Sequence, residues 1–213
     1  MDEQKTKVII GVDEAGRGSF FGPICSGVVV FDDNLIQNAV EKEKLVIRDS
    51  KKMTPLQRNR CYDYLVNNAK YGVGLCSVKE IDELGISRCN VLCMHRAIED
   101  LLSKFTNQLE IELVRVDGVL FKPFRDTPFE LVVQGESKHP EIAMASIIAK
   151  TYRDRMMIEL CKDNNSLQDR YDLENNKGYG TAKHIAGLRK YGPHPQHRKL
   201  FIRNHNQHLQ FLK

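Results

Sequence analysis

Acidic residues interrupt the local pattern of the sequence at two points that match the ends of strands. Asp13 and Glu14 close the β-branched segment 7–12, and Asp117 closes the segment 110–116, and a glycine-bearing turn follows in each case. Open α/β sheets place their binding crevices at such strand ends. An acid before a glycine is also typical of an ordinary turn, and for Asp117 taken alone a turn is the simpler interpretation.

Asp154 adds a fourth carboxyl group. It follows the segment 143–149, whose small and apolar residues suit a helix packed closely on a sheet. On that helix Asp154 either pairs on the surface with Arg153 or Arg155, or reaches the strand ends from the buried face. The spacing leaves both arrangements open.

Carboxylates that converge at one place repel each other unless divalent cations neutralise them. Their hard oxygen atoms favour Mg²⁺ or Mn²⁺ over zinc. Two such ions about 3.5–4 Å apart can activate water and stabilise the leaving oxygen in phosphodiester hydrolysis. The acidic positions therefore indicate a two-metal hydrolytic centre of the kind found in nucleases.

The elements that must position these residues form a mixed sheet with helices. Residue patterns predict strands at 7–12, 24–31, 71–78, 110–116 and 129–133, and helices at 54–70, 87–105, 141–162 and 181–192. Thr54, Pro55 and Gln57 form a capping box that begins the first helix. Three early strands followed by alternating strands and helices predict an α/β fold, a five-stranded mixed sheet flanked by helices.

Composition limits the class of protein. The chain has 213 residues, of which 41% are hydrophobic and 28% are charged, with a formal net charge of +4. We therefore expect one domain spanning residues 1–213. No apolar stretch approaches the roughly 18 residues that cross a bilayer, and the charged start does not match a signal peptide. Six scattered cysteines suggest reduced thiols and a cytoplasmic location.

Positive charge is concentrated in residues 177–213, which contain eight Lys or Arg, five His and no Asp or Glu. This basic C-terminal segment favours contact with a polyanion such as nucleic acid, and a solvated basic surface is an equally simple alternative. Its histidines, His184 and His197 among them, lack a metal-ligand spacing, so we expect them to be solvated or to face phosphates. Residues 205–213 form no clean clamp-binding motif, and we expect no sliding-clamp partner.

Six short motifs occur in order along nearly the whole chain. They are Gly11-Val12-Asp13-Glu14-Ala15-Gly16-Arg17-Gly18, Asp49-Ser50-Lys51-Lys52, Val116-Asp117-Gly118, the string from Ala145 to Asp154, Lys177-Gly178-Tyr179-Gly180-Thr181 with His184, and Tyr191-Gly192-Pro193 with His197-Arg198. In this order they resemble the motifs of ribonuclease HII, the type 2 ribonuclease H family.

The resemblance implies an RNase H-like fold with a helical basic C-terminal extension. It also implies endonucleolytic hydrolysis of RNA in RNA–DNA hybrids and incision on the 5′ side of ribonucleotides embedded in duplex DNA, leaving 3′-hydroxyl and 5′-phosphate ends. Such an enzyme serves ribonucleotide removal, RNA primer removal, and DNA repair and replication.

The same resemblance assigns the metal ligands. Asp13, Glu14, Asp117 and Asp154 match the four catalytic carboxylates that hold two divalent ions, Mg²⁺ or Mn²⁺. Asp13 would bridge both ions, and Asp154 would help to hold the ion that activates water. Neighbouring strand residues point to opposite faces, so Asp13 and Glu14 share a site only if the strand ends or bends there, and we expect Gly16 to provide the break.

Two glycines and a tyrosine match the residues that read ribose. Gly16, Arg17 and Gly18 correspond to the ribonucleotide-recognition loop, in which a backbone without bulky side chains can approach the 2′-hydroxyl. Tyr179 matches a tyrosine that contacts the 2′-hydroxyl and stacks on the following sugar. In isolation, a tight turn and a surface tyrosine would be the simpler interpretations.

The D-S-K segment is the remaining substrate-binding candidate. Asp49, Ser50 and Lys51 match it, and Lys51 together with Arg17 would bind phosphates. The three residues could equally form an ordinary helix entry.

One part of the chain departs from the ribonuclease HII pattern. The aromatic pair in Ser19-Phe20-Phe21-Gly22-Pro23 looks more like ribonuclease HIII, as does Glu136-Ser137-Lys138. The Gly-Arg-Gly loop and the Arg153-Asp154 ending favour ribonuclease HII. The alternative is an HIII-like enzyme that cuts only continuous RNA tracts.

Two hypotheses from other classes are an inactive nucleic-acid-binding module and a DNA-directed nuclease or recombinase on the same fold. The expected partners are RNA–DNA hybrid and ribonucleotide-containing DNA, bound by a monomer without membrane contact.

Overall fold

Five strands form one mixed sheet in the computed structural model, which describes residues 5–203. The strands are β1 (Thr6–Ala15), β2 (Ile24–Val30), β3 (Tyr71–Cys76), β4 (Leu109–Asp117) and β5 (Phe129–Val132), in the spatial order β3-β2-β1-β4-β5. β2 is antiparallel to both β1 and β3, whereas β4 runs parallel to β1 and β5. The predicted five-stranded mixed sheet is confirmed.

Helices cover both faces of this sheet. They are α1 (Asp33–Glu41), α2 (Pro55–Asn68), α3 (Val78–Leu84), α4 (Ile86–Lys104), α5 (Pro140–Asp163), α6 (Asn165–Tyr171), α7 (Leu173–Asn176), α8 (Ala182–Tyr191) and α9 (Lys199–Ile202), with 3-10 turns at Ser50–Lys52 and Gly135–Ser137. α4 packs on the face that carries Ile10 and Val12. α5 and α2 share a core with Val29 on the other face.

α5 lies unusually close to the strands. A Cβ atom on Gly27 would come within 2.6 Å of the Ala145 carbonyl oxygen, and one on Gly11 would also overlap the backbone of α5. Glycine in the strands and alanine on the helix therefore allow the buried helix predicted around residues 143–149. This approach brings the N-terminal half of α5 beside the end of β1.

Local capping sets several element ends. The capping box of Thr54 and Gln57 is present at α2, and Thr181 accepts a hydrogen bond from the His184 N–H at α8. The strand predicted to reach residue 78 ends at Cys76, because Ser77 and Glu80 form a second capping box that begins α3. Helices α1, α3, α6, α7 and α9 are short elements beyond those that the sequence predicted.

β1 does not break between its two acids. The strand continues through Asp13 and Glu14 to Ala15, and Gly16 follows it with a φ of 84°. The expected break at Gly16 is therefore wrong as an explanation of how both acids meet, because the turn lies beyond them.

Within residues 5–203, no helix is long and apolar enough to cross a membrane. All six cysteines are buried and free of disulfides. The expectation about a clamp-binding motif concerns residues 205–213, which lie outside the described part of the chain.

Two histidines of the basic C-terminal segment are buried, which corrects the expectation that they are solvated. His184 is 0% and His197 2% exposed, and their Nε2 atoms lie 2.9 Å apart. His184 Nδ1 lies 2.9 Å from the Tyr179 carbonyl oxygen, and the His194 N–H donates to His197 Nδ1 at 2.8 Å. Aromatic rings of Phe20, Phe21 and Tyr171 surround the pair.

These contacts determine the tautomers of the histidine pair. A carbonyl oxygen only accepts, so His184 Nδ1 carries the hydrogen and its Nε2 is bare. Because His184 Nε2 is bare, His197 Nε2 carries the hydrogen and donates to it. In the neutral ring His197 Nδ1 is then bare and accepts from the His194 N–H, although the His194 carbonyl oxygen also lies 3.2 Å from it. Both rings are neutral in this arrangement, and burial lowers the pKa of His184 and lowers that of His197 to about 3.

The buried pair predicts a loss of stability in acid. An unfolded histidine binds its proton near pH 6.5, whereas folded His197 binds it only near pH 3, so its contribution to stability is complete above about pH 6.5 and disappears as pH falls toward 3. Over this window we expect His197 to account for on the order of 3–5 kcal/mol. Urea unfolding of wild type and His197→Gln at pH 7, 6, 5 and 4 measures this contribution. Parallel curves of unfolding free energy against pH would contradict the prediction.

Candidate active site

Three carboxylates meet at one edge of the sheet. Asp13, Asp117 and Glu136 each offer an oxygen, and these oxygens all lie within 4.8 Å of one another. β1 and β4 are parallel and Val12 pairs with Val116, so Asp13 and Asp117 follow at neighbouring strand ends. The sequence predicted both acids at strand ends, and the structure shows that these two strands are neighbours in the sheet.

Glu136 is the third member of the group. It lies in the 3-10 turn Gly135–Ser137, and the Gly135 N–H donates to Asp117 Oδ1 at 2.8 Å. The preceding Gln134 adopts a left-handed conformation with φ 56°. This turn fixes Glu136 beside Asp117. In the sequence, Glu136 belongs to the short motif Glu136-Ser137-Lys138 and lies at the end of no predicted strand or helix. The residue pattern therefore indicates no metal role for it.

The electrostatic surroundings of Asp13 favour a bound cation. Its side chain is 2% exposed. Burial raises its pKa well above the ordinary value, and the carboxylates of Glu14 and Asp117 raise it further. Oδ1 accepts from the Glu14 N–H at 2.7 Å, while Oδ2 is buried without a hydrogen-bond partner among the described residues. A hard divalent cation would satisfy this oxygen and remove the repulsion, so the residues present fit Mg²⁺ or Mn²⁺.

Glu14 follows Asp13 in the same strand and is half-buried. Burial raises the pKa of Glu14; Arg17 opposes that shift and Asp117 adds to it. Glu14 thus lies within electrostatic reach of Asp117 although it is not in the group of three.

Asp154 lies in a different environment. It is buried on α5, where the Lys150 ammonium donates to Oδ1 at 2.6 Å and Arg58 lies 3.5 Å from Oδ2. Two cations therefore already neutralise this carboxylate. The structure places Asp154 outside the three-carboxylate group, and its role as a metal ligand stays a prediction.

The D-S-K segment lies beside the carboxylates. Lys51 is exposed and its ammonium lies 3.0 Å from Glu136 Oε1. Asp49 accepts from the Lys51 N–H at 2.9 Å and so caps the 3-10 turn Ser50–Lys52. Ser50 is buried, and its hydroxyl lies 2.7 Å from that of Ser146 on α5. The three residues therefore differ in position, and Lys51 is the one that faces solvent.

The Gly-Arg-Gly loop and the Tyr179 loop are joined. The N–H groups of Phe20 and Phe21 both donate to the Gly178 carbonyl, at 2.8 and 3.2 Å. Gly178 has φ 85°, and a Cβ there would come within 2.6 Å of the Phe21 carbonyl oxygen. Glycine is therefore required where the two loops touch.

Both loops present groups to solvent. Arg17 and Gly18 are exposed, and among residues 5–203 no acceptor takes their main-chain N–H groups. The Tyr179 ring is half-buried, with Lys150 Nζ 5.5 Å and Arg153 Cζ 5.6 Å from its centre. The sequence predicted these residues to act together, and the structure places them on adjoining loops.

Comparison with known proteins agrees with this arrangement. The family model described as Ribonuclease HII matches residues 10–206. The chain belongs to the ribonuclease HII family. Its enzyme class is that of the ribonuclease H hydrolases. A Ribonuclease HII of Acaryochloris marina is 40% identical over 200 residues, which cover 93% of this chain and 94% of that protein.

Solved structures share the RNase H-like fold. The ribonuclease H2 of Pyrococcus horikoshii superposes with a TM-score of 0.66 at 23% identity, over 95% of this chain and 99% of that one. Bst-RNase HIII in complex with Mn²⁺ gives 0.67 at 21% identity, over 92% of this chain and 65% of that one. Since both kinds match equally well, the fold alone does not separate this ribonuclease HII from HIII enzymes.

The carboxylate group predicts a metal-dependent rise in melting temperature. An ion at 100 times its dissociation constant stabilises the folded state by about 2.7 kcal/mol, or roughly 5–10 °C for a chain of this size. We expect Asp117→Asn and Glu136→Gln to remove most of the rise that Mn²⁺ causes, because an amide keeps the shape and loses the charge. Thermal unfolding with Mn²⁺ and with chelator measures the difference.

Asp154→Asn is the matched comparison for Glu136→Gln. It neutralises a carboxylate that Lys150 and Arg58 already hold, so we expect the Mn²⁺-induced rise to persist even if the metal-free protein melts earlier. Loss of the rise in Asp154→Asn and its retention in Glu136→Gln would transfer the ligand role to Asp154.

Proposed function

We propose that this ribonuclease HII cleaves the RNA strand of RNA–DNA hybrids and incises duplex DNA on the 5′ side of an embedded ribonucleotide, leaving 3′-hydroxyl and 5′-phosphate ends. The observation that carries the proposal is the carboxylate group of Asp13, Asp117 and Glu136. Asp13 lies three residues before Gly16, which begins the Gly-Arg-Gly loop. The main-chain N–H groups of Arg17 and Gly18 in that loop have no acceptor within residues 5–203. An acidic centre for phosphodiester chemistry thus adjoins a backbone that can test a ribose.

The carboxylates would hold the metal. Asp13, Asp117 and Glu136 supply the hard oxygen ligands, and Glu14 adds a fourth negative charge nearby. Two bound Mg²⁺ or Mn²⁺ ions would activate water and stabilise the leaving oxygen at the scissile phosphate. For the remaining ligand position, geometry supports Glu136 and the family resemblance supports Asp154, and we retain both as candidates.

Other residues would place the substrate. The exposed N–H groups of Arg17 and Gly18 can donate to a ribose 2′-hydroxyl, which DNA lacks. The Tyr179 ring offers a flat surface for the adjoining sugar. Lys51, which pairs with Glu136, and the Arg17 side chain would contact phosphates and fix the register of the duplex.

We further propose a setting for the activity. The chain would act as one catalytic domain, residues 1–213, with 177–213 as its basic segment. It would act as a monomer in the cytoplasm, in ribonucleotide and primer removal during DNA replication and repair. The buried free cysteines are compatible with a reducing compartment.

A second candidate is an HIII-like enzyme that cuts only continuous RNA tracts. The aromatic pair favours it: Phe21 is fully buried and its backbone contacts Gly178, so this pair shapes the loop that would read the ribose.

Cleavage of three labelled duplexes tests the proposal. We expect metal-dependent incision on the 5′ side of a single ribonucleotide in DNA, cleavage of a continuous RNA–DNA hybrid, and an intact all-DNA duplex, with Mg²⁺ or Mn²⁺ but not with chelator. Cleavage of the continuous hybrid alone would favour the HIII-like candidate. Cleavage of all-DNA would contradict a requirement for the 2′-hydroxyl, and no cleavage of any substrate would leave a binding module.

Tyr179 should affect an isolated ribonucleotide most. In a continuous hybrid the neighbouring ribonucleotides also supply 2′-hydroxyl contacts, so we expect Tyr179→Ala to lose roughly tenfold more activity on the isolated ribonucleotide than on the hybrid. Initial rates on both substrates give this ratio, and Tyr191→Ala, at a tyrosine 44% exposed on α8, is the control. Equal losses on both substrates would remove a discriminating role for Tyr179.

A further inference from the structure

Arg198 belongs to the basic C-terminal segment, yet its side chain is fully buried. Its guanidinium contacts main-chain carbonyls: Nε donates to Gly22 at 2.9 Å and Nη1 donates to Arg17 at 3.0 Å. The Arg198 main-chain N–H donates to the Phe20 carbonyl at 2.8 Å. One residue therefore contacts the backbone of the Gly-Arg-Gly loop at Arg17 and that of the residues following it at Phe20 and Gly22.

The preceding residue fixes the other loop. His197 Nε2–H donates to His184 Nε2, and His184 Nδ1–H donates to the Tyr179 carbonyl. The hydrogen bonds form a single directed chain from the His194 N–H to the backbone of Tyr179. His197 also bridges to Phe21 in a short antiparallel pairing, so it contacts both loops.

We propose that His197 and Arg198 are positioning residues that hold the Gly-Arg-Gly loop and the Tyr179 loop at the spacing needed to test one 2′-hydroxyl. This inference rests on the proposed function of those loops. Neither residue would touch the substrate; each acts through the carbonyl groups of residues that do.

The free-energy cost of burying the Arg198 guanidinium supports a role in positioning the loops. Taking a guanidinium out of water is expensive, and burial lowers the pKa of Arg198 to about 9. Within residues 5–203 the charge of Asp82 acts on Arg198 without offsetting the effect of burial, and Arg198 Nη2 has no hydrogen-bond partner there. A residue selected for stability alone would not need a buried charge at this point. The guanidinium donates to the two carbonyls from separate nitrogens held in one plane, a geometry that the compact ammonium of lysine does not reproduce.

Substitutions that remove the donors test the inference. Arg198→Met keeps an unbranched stem without hydrogen-bonding groups, and His197→Leu removes both ring nitrogens. We expect each to reduce cleavage at an isolated ribonucleotide at least roughly tenfold more than cleavage of a continuous RNA–DNA hybrid, with a higher KM on the isolated site. His197→Gln offers one acceptor and one donor, so it should restore much of the ratio.

Controls separate positioning from folding. Arg88→Met makes the same chemical change on an exposed arginine of α4, distant in sequence from both loops, and should leave the ratio at the wild-type value. If Arg198→Met does not fold, Arg198→Lys asks the same question with the charge retained. Amide hydrogen exchange of full-length protein gives a second readout. The N–H groups of Phe20, Phe21 and Tyr179 donate hydrogen bonds within the two loops, so their exchange should accelerate at least roughly tenfold in Arg198→Lys and His197→Leu.

The outcomes distinguish the positioning role of His197 and Arg198 from the proposed function of the loops. If wild type incises at an isolated ribonucleotide and the variants lose activity equally on both substrates, as lower folded fractions would cause, the positioning role is overturned and the proposed function survives. If wild type does not cleave at an isolated ribonucleotide, the proposed reading of the 2′-hydroxyl fails and the inference fails with it. A selective loss in His197→Leu and Arg198→Lys, with recovery in His197→Gln, supports the inference.

Discussion

Repulsion among carboxylates held close together is the constraint on which the rest of this structure depends. Asp13 cannot move away from Asp117, because the parallel pairing of β1 with β4 fixes both strand ends. Glu136 cannot move away either, because the turn that carries it donates a hydrogen bond to Asp117. The sheet and α5 supply the stability that holds these charges together, and only Lys51 among the described cations forms an ion pair with the group. This arrangement favours a divalent cation, because a hard ion converts the repulsion into binding free energy.

A second group of charges consists of buried arginines, which bind loop carbonyls. Arg153 and Arg198 are both fully buried, and their guanidinium groups donate to main-chain carbonyls of the loop 16–23 and of Lys177. Loops usually satisfy their carbonyls with water. Here arginines replace that water, so the loops can be rigid without forming a helix or strand. The carboxylates would bind the ions, while the arginines fix the backbone beside them.

The sequence predicted what depends on local pattern and failed where distant segments meet. Alternation and capping predicted the five strands and the start of α2, because those features depend on neighbours in the chain. Strand ends also identified Asp13 and Asp117. No metal role for Glu136 follows from the sequence, because its position depends on a left-handed turn that no residue pattern predicts. The motif that contains Asp154 suggests a metal ligand, which stays a prediction, and only the fold reveals Lys150 and Arg58 beside this carboxylate.

The basic C-terminal segment shows why counting charge is not enough. Its excess of Lys and Arg suggested a surface for a polyanion, and most of these side chains are exposed where the structure describes them. Arg198 and the two buried histidines contribute nothing to that surface, because they lie under the loops that would face the substrate. The same segment thus combines two roles that composition cannot separate: its exposed cations can attract nucleic acid at long range, whereas its buried residues determine the short-range geometry. Attraction to phosphates is shared by RNA and DNA and cannot by itself distinguish them, so discrimination would depend on the loop backbone and the Tyr179 ring, whose positions the buried residues would fix.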